Sequence, residues 1–563
     1  MTSSIPMSTD ASGNGVSIPV VLSSMVISLV LSYWLLRFSF DSWALDKLTA
    51  VTDLEQAGKP RTGDKLGTVL ICGGSIAGLA SARVCSDHFN EVIVIESEDI
   101  EELNPDYVRN RVGQHSSIHV FLGFLKLALD ALFPTTFQNE LKLLGGTVQR
   151  DRVQVWRCGG CLKGSNVSSE EDGGLRGIIL TRSRLEYALR KLVRQQCSNV
   201  IFKHGTVTAF ALSPSTSSTS TGRAITSVSV NLKKSNSSVL NDSIEASTPQ
   251  FTPNLVLDCT GSSALGHRLL TTAGLPAAPR TRYDPHSAYL TIRGPISQPL
   301  LVKIGKDLNL GRPLKAEDGI IDAVFGLDRG ITCQFVESPK FEIFVQYPRS
   351  WDGEKGGERS TPKDMDEVWE FAKTMPDGER VKKVVEILKD DVEWRKMSQW
   401  IRCPIPPAYK IDYGGSNVPF NFAAIGDSRM RLNPIFGQGT SKAFVDAITL
   451  DRILRHYPSP SPDSHLDISS TFFDLQRKRT DNMFTSTKAA DYILPEVQLA
   501  EGETRKTGEW GAWWGGLMMW AAVNDKTVGD AVFPIFQLGR PDTDVFRPLL
   551  VVRILSYWFS RPW

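Results

Sequence analysis

Cysteine is scarce in this chain. Eight thiols spread over 563 residues, at positions 72, 85, 158, 161, 197, 259, 333 and 403, are too few for a disulfide-stapled secreted scaffold, and reduced thiols are expected. Net charge is all but absent: 63 Lys and Arg against 62 Asp and Glu leave +1. No global field gathers nucleic acid, so a nucleic-acid partner is not expected. No stretch recurs with a period of roughly 20 to 50 residues, which excludes solenoids and propellers, and ordinary use of Gly and Pro excludes collagen-like and low-complexity chains. Cys158-Gly-Gly-Cys161 lacks a second ligand pair at a spacing that would complete a zinc site, so it reads as a Gly-rich turn with incidental thiols and no metal is expected. What remains is a chain 41% hydrophobic and 22% charged, long enough on length alone for two to four domains with a sizeable core.

One long apolar run is present. Residues 16–36 form a stretch of 21 residues without a charge, and at about 1.5 Å per residue a helix of that length crosses the roughly 30 Å hydrocarbon core. A transmembrane anchor over 16–38 is therefore expected, after a polar tail (1–15) and before a linker (39–66). A cleaved signal peptide fits less well, because no Lys or Arg precedes the run and no small-x-small site follows it. Asp10 lies upstream while Arg37 and Lys47 lie downstream, a bias that places the large C-terminal part on the cytoplasmic side, with the endoplasmic reticulum as the expected membrane. The sequons at Asn166, Asn236 and Asn241 would then stay unmodified.

Beyond the linker, residues 67–97 read as strand, Gly-rich turn, Ala-rich helix and strand, a βαβ unit. Helical patterns follow at 115–133 and 182–196, and strands at 200–212, 224–232 and 254–259, with a Ser/Thr-rich insertion at 213–249. Alternating strands fill 281–350, a charged amphipathic helix is expected over 363–389, and a buried strand returns at 420–426. This order divides the chain into a nucleotide-binding part over 67–280, a substrate sheet over 281–400, a closing nucleotide-binding part over 401–455 and a helical region over 456–563. Six of the 13 Trp follow residue 500. Their segments suit either a membrane interface, where indoles and snorkelling Arg are favoured, or a hydrophobic face packed on the core.

The turn Gly73-Gly74-Ser75-Ile76-Ala77-Gly78 departs from G-x-G-x-x-G only where Ser75 replaces the second glycine. Gly73 permits the tight turn, Gly78 lets the helix approach the sheet, and the amides at the helix start face a pyrophosphate. Glu96 ends the second strand, placed to accept hydrogen bonds from a ribose. Residues 423–443 read AAIGDSRMRLNPIFGQGTSKA, with Asp427 after a buried strand and a Pro-x-x-Gly-x-Gly turn ahead of a helix. Asp427 can bond a ribityl hydroxyl, and the helix opening near Gly437 can point its positive end at a flavin.

With these motifs the chain resembles the single-component FAD-dependent monooxygenase superfamily, the aromatic-hydroxylase and squalene-epoxidase-like group, closest to its branch acting on lipophilic secondary metabolites. The resemblance runs from about residue 67 to 500. It implies an α/β architecture: a three-layer Rossmann-like FAD-binding domain interrupted by a mixed or antiparallel substrate sheet, with the anchor before it and a helical region after it. It implies FAD held by Gly73, Ser75, Gly78, Glu96, Asp427, Gly437, Gln438, Gly439 and Thr440, with weaker matches at Arg111, in RVGQHSSIHVFL, and Arg182, in TRSRLEYALR. His119 in the first of these could help place flavin or substrate, although a satisfied semi-buried histidine is the plainer reading. Asp258-Cys259-Thr260-Gly261 is similar to a strand-end sequence near the cofactor, with Thr260 where many hydroxylases have another residue. No W-x-W-x-I-P is present, which argues against the halogenases of this fold, and no second G-x-G-x-x-G supports a separate nicotinamide domain. The implied activity is epoxidation or hydroxylation of a terpenoid or polyketide-derived polyene with NAD(P)H and O2, by oxygen transfer from a flavin C4a-hydroperoxide. Such transfer needs no side-chain nucleophile, so no catalytic residue is singled out. A flavin dehydrogenase or reductase on a prenyl-type substrate and a non-catalytic membrane flavoprotein stand as alternatives.

Overall fold

β1 (Leu66–Cys72), α1 (Ile76–His88) and β2 (Phe89–Glu96) form the expected βαβ unit. Both strands are continuous apolar runs because both faces of this parallel sheet are covered; Val69, Leu70, Ile71, Val92 and Val94 are fully buried. The computed structural model describes Ser32 and residues 36–560, apart from 100–103, 108, 110–111, 113–114, 116, 150–154, 158–159, 163–174, 215–221, 234–248, 327, 338, 354–359, 415–417 and 459–465. α2 (Gly123–Leu132) and α3 (Arg182–Gln196) follow, then β3 (Val200–Leu212), β4 (Ile225–Leu232), β5 (Gln250–Phe251) and β6 (Leu255–Asp258). β6, β1, β2 and β3 pair in parallel, while β3, β4 and β5 continue as an antiparallel meander. Phe422–Ala424, arriving late in the chain, adds in parallel beside β6 and closes the sheet.

The second sheet is built from β7 (Ser287–Pro295), β8 (Ile320–Phe325), β9 (Gly330–Glu337), β10 (Lys340–Pro348) and β11 (Gln399–Pro404), ordered β11-β7-β10-β9-β8 and extended by the short strands Val155–Arg157 and Gly160–Leu162. Its two faces differ. Leu290, Ile292, Ile331, Ile343 and Val345 pack under α4 (Met365–Thr374) and α5 (Glu379–Asp390). By register, Thr291, Arg293, Gln334, Glu342 and Gln346 share the opposite face. That polar face meets the loops of the first sheet, where Thr291 Oγ1 accepts the Ile118 amide at 3.3 Å.

Two expected helices change. The helix over 115–133 begins only at Gly123, because the residues before it spend their backbone on the sheets: Ile118 bonds Thr291, and Phe121 forms a bridge with Ile178. The helix over 363–389 is two, α4 and α5, broken where Pro376 follows α4 and Gly378 takes φ +85°. Residues 36–48 are helical; this stretch is tied down by Asp46 on Arg452, and the turn after it by Asp53 on Arg452 at 2.9 Å and Arg479 at 2.7 Å. Arg452 belongs to α6 (Gln438–His456) and Arg479 to α7 (Ser469–Tyr492).

At the C-terminus, α8 (Glu509–Asn524), α9 (Lys526–Phe536) and α10 (Pro548–Ser556) close over Trp514, Leu517, Val528, Val532, Leu550 and Ile554. Among the described residues no helix is long and apolar enough to cross a membrane. The transmembrane helix expected over 16–38 falls mainly on residues outside them, as do the sequons at Asn166, Asn236 and Asn241 and the Cys158 thiol.

Candidate active site

Two glycine turns from opposite ends of the chain meet. Gly73 sits at φ +100°, and a side chain there would strike the Cys259 carbonyl oxygen at 2.6 Å. A side chain on Gly78 would lie 1.9 Å from the Gly73 oxygen, so only glycine lets α1 start this close to β1. Across from them, Gly426 at φ +70° places its Cβ position 3.1 Å from Ala77 in the first turn of α1. Asp427 follows in a short turn held by Tyr409, whose hydroxyl donates to the Asp427 carbonyl at 2.6 Å. Gly437, at φ +64°, turns the chain into α6, with Val120 3.0 Å from its Cβ position. Gln438, Gly439 and Thr440 form the first turn of that helix.

Buried charges cluster around the first turn. Glu96 Oε2 accepts the Gly74 amide at 2.8 Å, and Oε1 takes Arg109 at 2.8 Å. Burial pushes its carboxyl up, but Arg109 and the amides of Glu98 and Gly74 outweigh it and hold the group below the ordinary glutamate range. Ser75 donates to Glu186 Oε2 at 2.7 Å, and Glu186 Oε1 takes Arg109 at 2.8 Å and Arg190 at 2.9 Å. Against the cost of burial, Arg109, Arg182 and Arg190 lower the Glu186 carboxyl to about 2. Arg182 opens α3 with Nη2 3.4 Å from Ser75 Oγ, and it feels the charges of both Glu186 and Asp427. It thus touches the first turn and lies within electrostatic reach of the second. Arg109, Glu186, Arg190 and Tyr409 were not singled out from sequence; the signal for Arg109 was an arginine on a loop just after the acidic Glu96 and Glu98. Arg111 lies outside the described residues.

Asp258 is spent on structure. Its Oδ1 takes the Thr260 amide at 3.0 Å and hydroxyl at 2.6 Å, and Oδ2 takes the Gly266 amide at 2.7 Å. Thr260 in turn accepts the Leu265 amide at 2.9 Å, so its departure from the hydroxylase pattern anchors a helix start. His119 is half-buried, with Nδ1 3.0 Å from the Ser117 carbonyl. Burial and the nearby Arg182 push its imidazole down to about 3, so it is neutral near pH 7. The plainer sequence reading, a satisfied histidine, holds for that nitrogen. His119 also lines a cavity of about 40 Å³, together with Val120, Gln334, Phe335, Phe533 and Gln537. Val120 thus touches both the Gly437 turn and the cavity.

The residues present fit FAD. Nothing lies within 4 Å of a Cβ placed on Gly439, and Arg182 Nε, Gln438 Oε1 and Ser441 Oγ are buried without a hydrogen bond, groups a bound dinucleotide could satisfy.

The structure of PqsL in complex with 2-aminobenzoylacetate, from P. aeruginosa, matches with TM-score 0.51 at 15% identity, over 79% of this chain and 99% of that one. A second PqsL structure, described as a probable FAD-dependent monooxygenase from Pseudomonas aeruginosa, gives 0.50 at 15% identity over the same shares. The chain has the fold of these flavoproteins. The flavin-dependent brominase Bmp2 shares it too, with TM-score 0.51 at 13% identity over 88% of this chain and 98% of that one. No family model and no curated protein matches the sequence, so the likeness lies in the fold.

Proposed function

We propose that the protein is an FAD-dependent monooxygenase that hydroxylates or epoxidises a lipophilic small molecule, using NAD(P)H and O2. The observation that carries this reading is the meeting of the Gly73–Gly78 turn with the Asp427 and Gly437 turn across Arg182, in a fold shared with PqsL. Gly73, Ser75 and Gly78 would hold the pyrophosphate at the start of α1, with Glu96 on the ribose, Asp427 on the ribityl chain and the first turn of α6 at the ring. FAD, once bound, supplies reduction by NAD(P)H and activation of oxygen. The chain's own residues bind and orient it, and Gln334 of the polar sheet face forms part of the cavity wall. Purified protein given NADPH, 18O2 and extracts containing candidate lipophilic substrates is expected to yield an oxidised product carrying 18O; oxidised products that never carry the label would overturn oxygen transfer.

Membrane attachment belongs to the same reading. The uncharged run at 16–36 leads into a helical stretch with Phe38 and Trp43 exposed, and Asp41 of that stretch lies 3.6 Å from Arg547, just ahead of α10. α10 and its neighbours carry Leu549, Val552 and Phe559 at 83, 66 and 97% exposure, an apolar patch suited to a bilayer surface. The charge bias around the run supports a cytoplasmic orientation at the endoplasmic reticulum, which unmodified Asn166, Asn236 and Asn241 in cells would bear out.

A further inference from the structure

The cavity beside Gly437 is not a plain hydrocarbon pocket. On the polar face of the second sheet, Arg293, Glu342 and Gln334 stand in one row across β7, β10 and β9. Arg293 Nε and Nη2 both donate to Glu342 Oε2, at 2.9 and 2.8 Å, and Gln334 Nε2 donates to Glu342 Oε1 at 2.7 Å. Burial raises the Glu342 carboxyl against the pull of Arg293, but the pair's two hydrogen bonds occupy Oε2 and Gln334 Nε2 donates to Oε1, so Gln334 presents its NH2 there and turns its carbonyl oxygen the other way. Gln334 lines the cavity and is nine-tenths buried, yet Oε1 has no hydrogen-bond partner. Leaving such an acceptor unmet is costly. A buried three-residue row that orients an unused oxygen is a site awaiting a donor.

His119 supplies a second acceptor. The Ser117 carbonyl can only accept, so Nδ1 carries the proton and Nε2 of the neutral ring keeps its lone pair. Arg176 also lines the cavity but has partners of its own, and the rest of the wall is largely Val, Leu, Ile and Phe.

We infer that this cavity takes an apolar molecule bearing a hydroxyl, whose O–H donates to Gln334 Oε1 or His119 Nε2, and that these two residues select it over the same molecule with the donor removed. The inference rests on reading the cavity as the substrate side of the proposed FAD site. It narrows the substrate from a bare polyene to a hydroxylated one.

The test uses purified full-length protein and two probes that differ only in the donor, 2-naphthol and 2-methoxynaphthalene, with binding followed by calorimetry. Naphthol is expected to bind at least about 10-fold more tightly. In Gln334→Leu and His119→Phe, made singly and together, that preference is expected to shrink toward parity while the ether's affinity changes little. The wild-type comparison decides alone if a variant fails to fold: equal affinities, a tighter ether, or no binding of naphthol would overturn the inference. Binding heat does not depend on flavin turnover. Protein that discriminates the probes but carries no FAD would overturn the cofactor reading and leave this one standing, and a flavoprotein that does not discriminate would do the reverse.

Discussion

At the scale of single residues, the glycine turns were legible because glycine spacing reports a backbone constraint directly. Gly73, Gly78 and Gly437 each occupy a place where a side chain would collide or the φ is positive. The charge cluster was not legible, since Arg109, Glu186 and Arg190 come together only through the packing of a loop and α3 against the first turn. Gly78→Val would push a side chain into the Gly73 carbonyl, and flavin content is expected to fall below about a tenth of wild type. Asp427→Ala removes the proposed ribityl partner and is expected to weaken FAD about 10-fold or more, read by flavin fluorescence on titration. For Glu186 the sign is fixed by a folded carboxyl lowered to about 2 from an ordinary 4.5. Its stabilisation is therefore complete above about pH 4.5 and is lost as pH falls from there toward about 2. Thermal melts across that range should show the loss, and Glu186→Gln should flatten it while costing on the order of 3 kcal/mol at pH 7.

At the scale of elements, long periodic segments were readable and contested ones were not. α3 begins and ends where the sequence pattern placed it, because its apolar face and its polar face are both unambiguous. The stretch before Gly123 carries helical periodicity, but hydrogen bonds to the sheets outweigh that propensity, and Gly378 splits a charged helix that composition alone would run together. The Trp-rich C-terminus had two readings, packing or membrane interface, and its residues divide between them: Trp514 and Leu517 are buried, whereas Leu549 and Val552 face outward. Replacing Leu549 and Val552 of α10 and Phe559 beyond it by Asp changes three exposed side chains. Melting temperature is expected to stay within about 2 °C, as for exposed sites, while sedimentation of the protein with anionic lipid vesicles drops at least about fivefold. Unchanged vesicle binding would remove the C-terminal face from the membrane reading.

At the scale of the whole molecule, residues 36–60 brace the two long helices rather than merely trailing from an anchor. Asp53 and Arg479 form a buried pair, and Asp46 holds Arg452. Deleting residues 1–35 is expected to leave folding and FAD binding intact. Deleting residues 1–60 strands the Arg479 guanidinium without its carboxylate, a loss of about 3–5 kcal/mol that melts should register. The central claim, that glycine turns more than 300 residues apart in sequence assemble one FAD site, has a direct measurement. Full-length protein is purified in detergent, denatured, and the released cofactor identified and counted against protein. The expected result is FAD at about one per chain in wild type and a nearly flavin-free Gly78→Val protein that still folds; wild type purified without flavin and failing to take up added FAD would contradict the account.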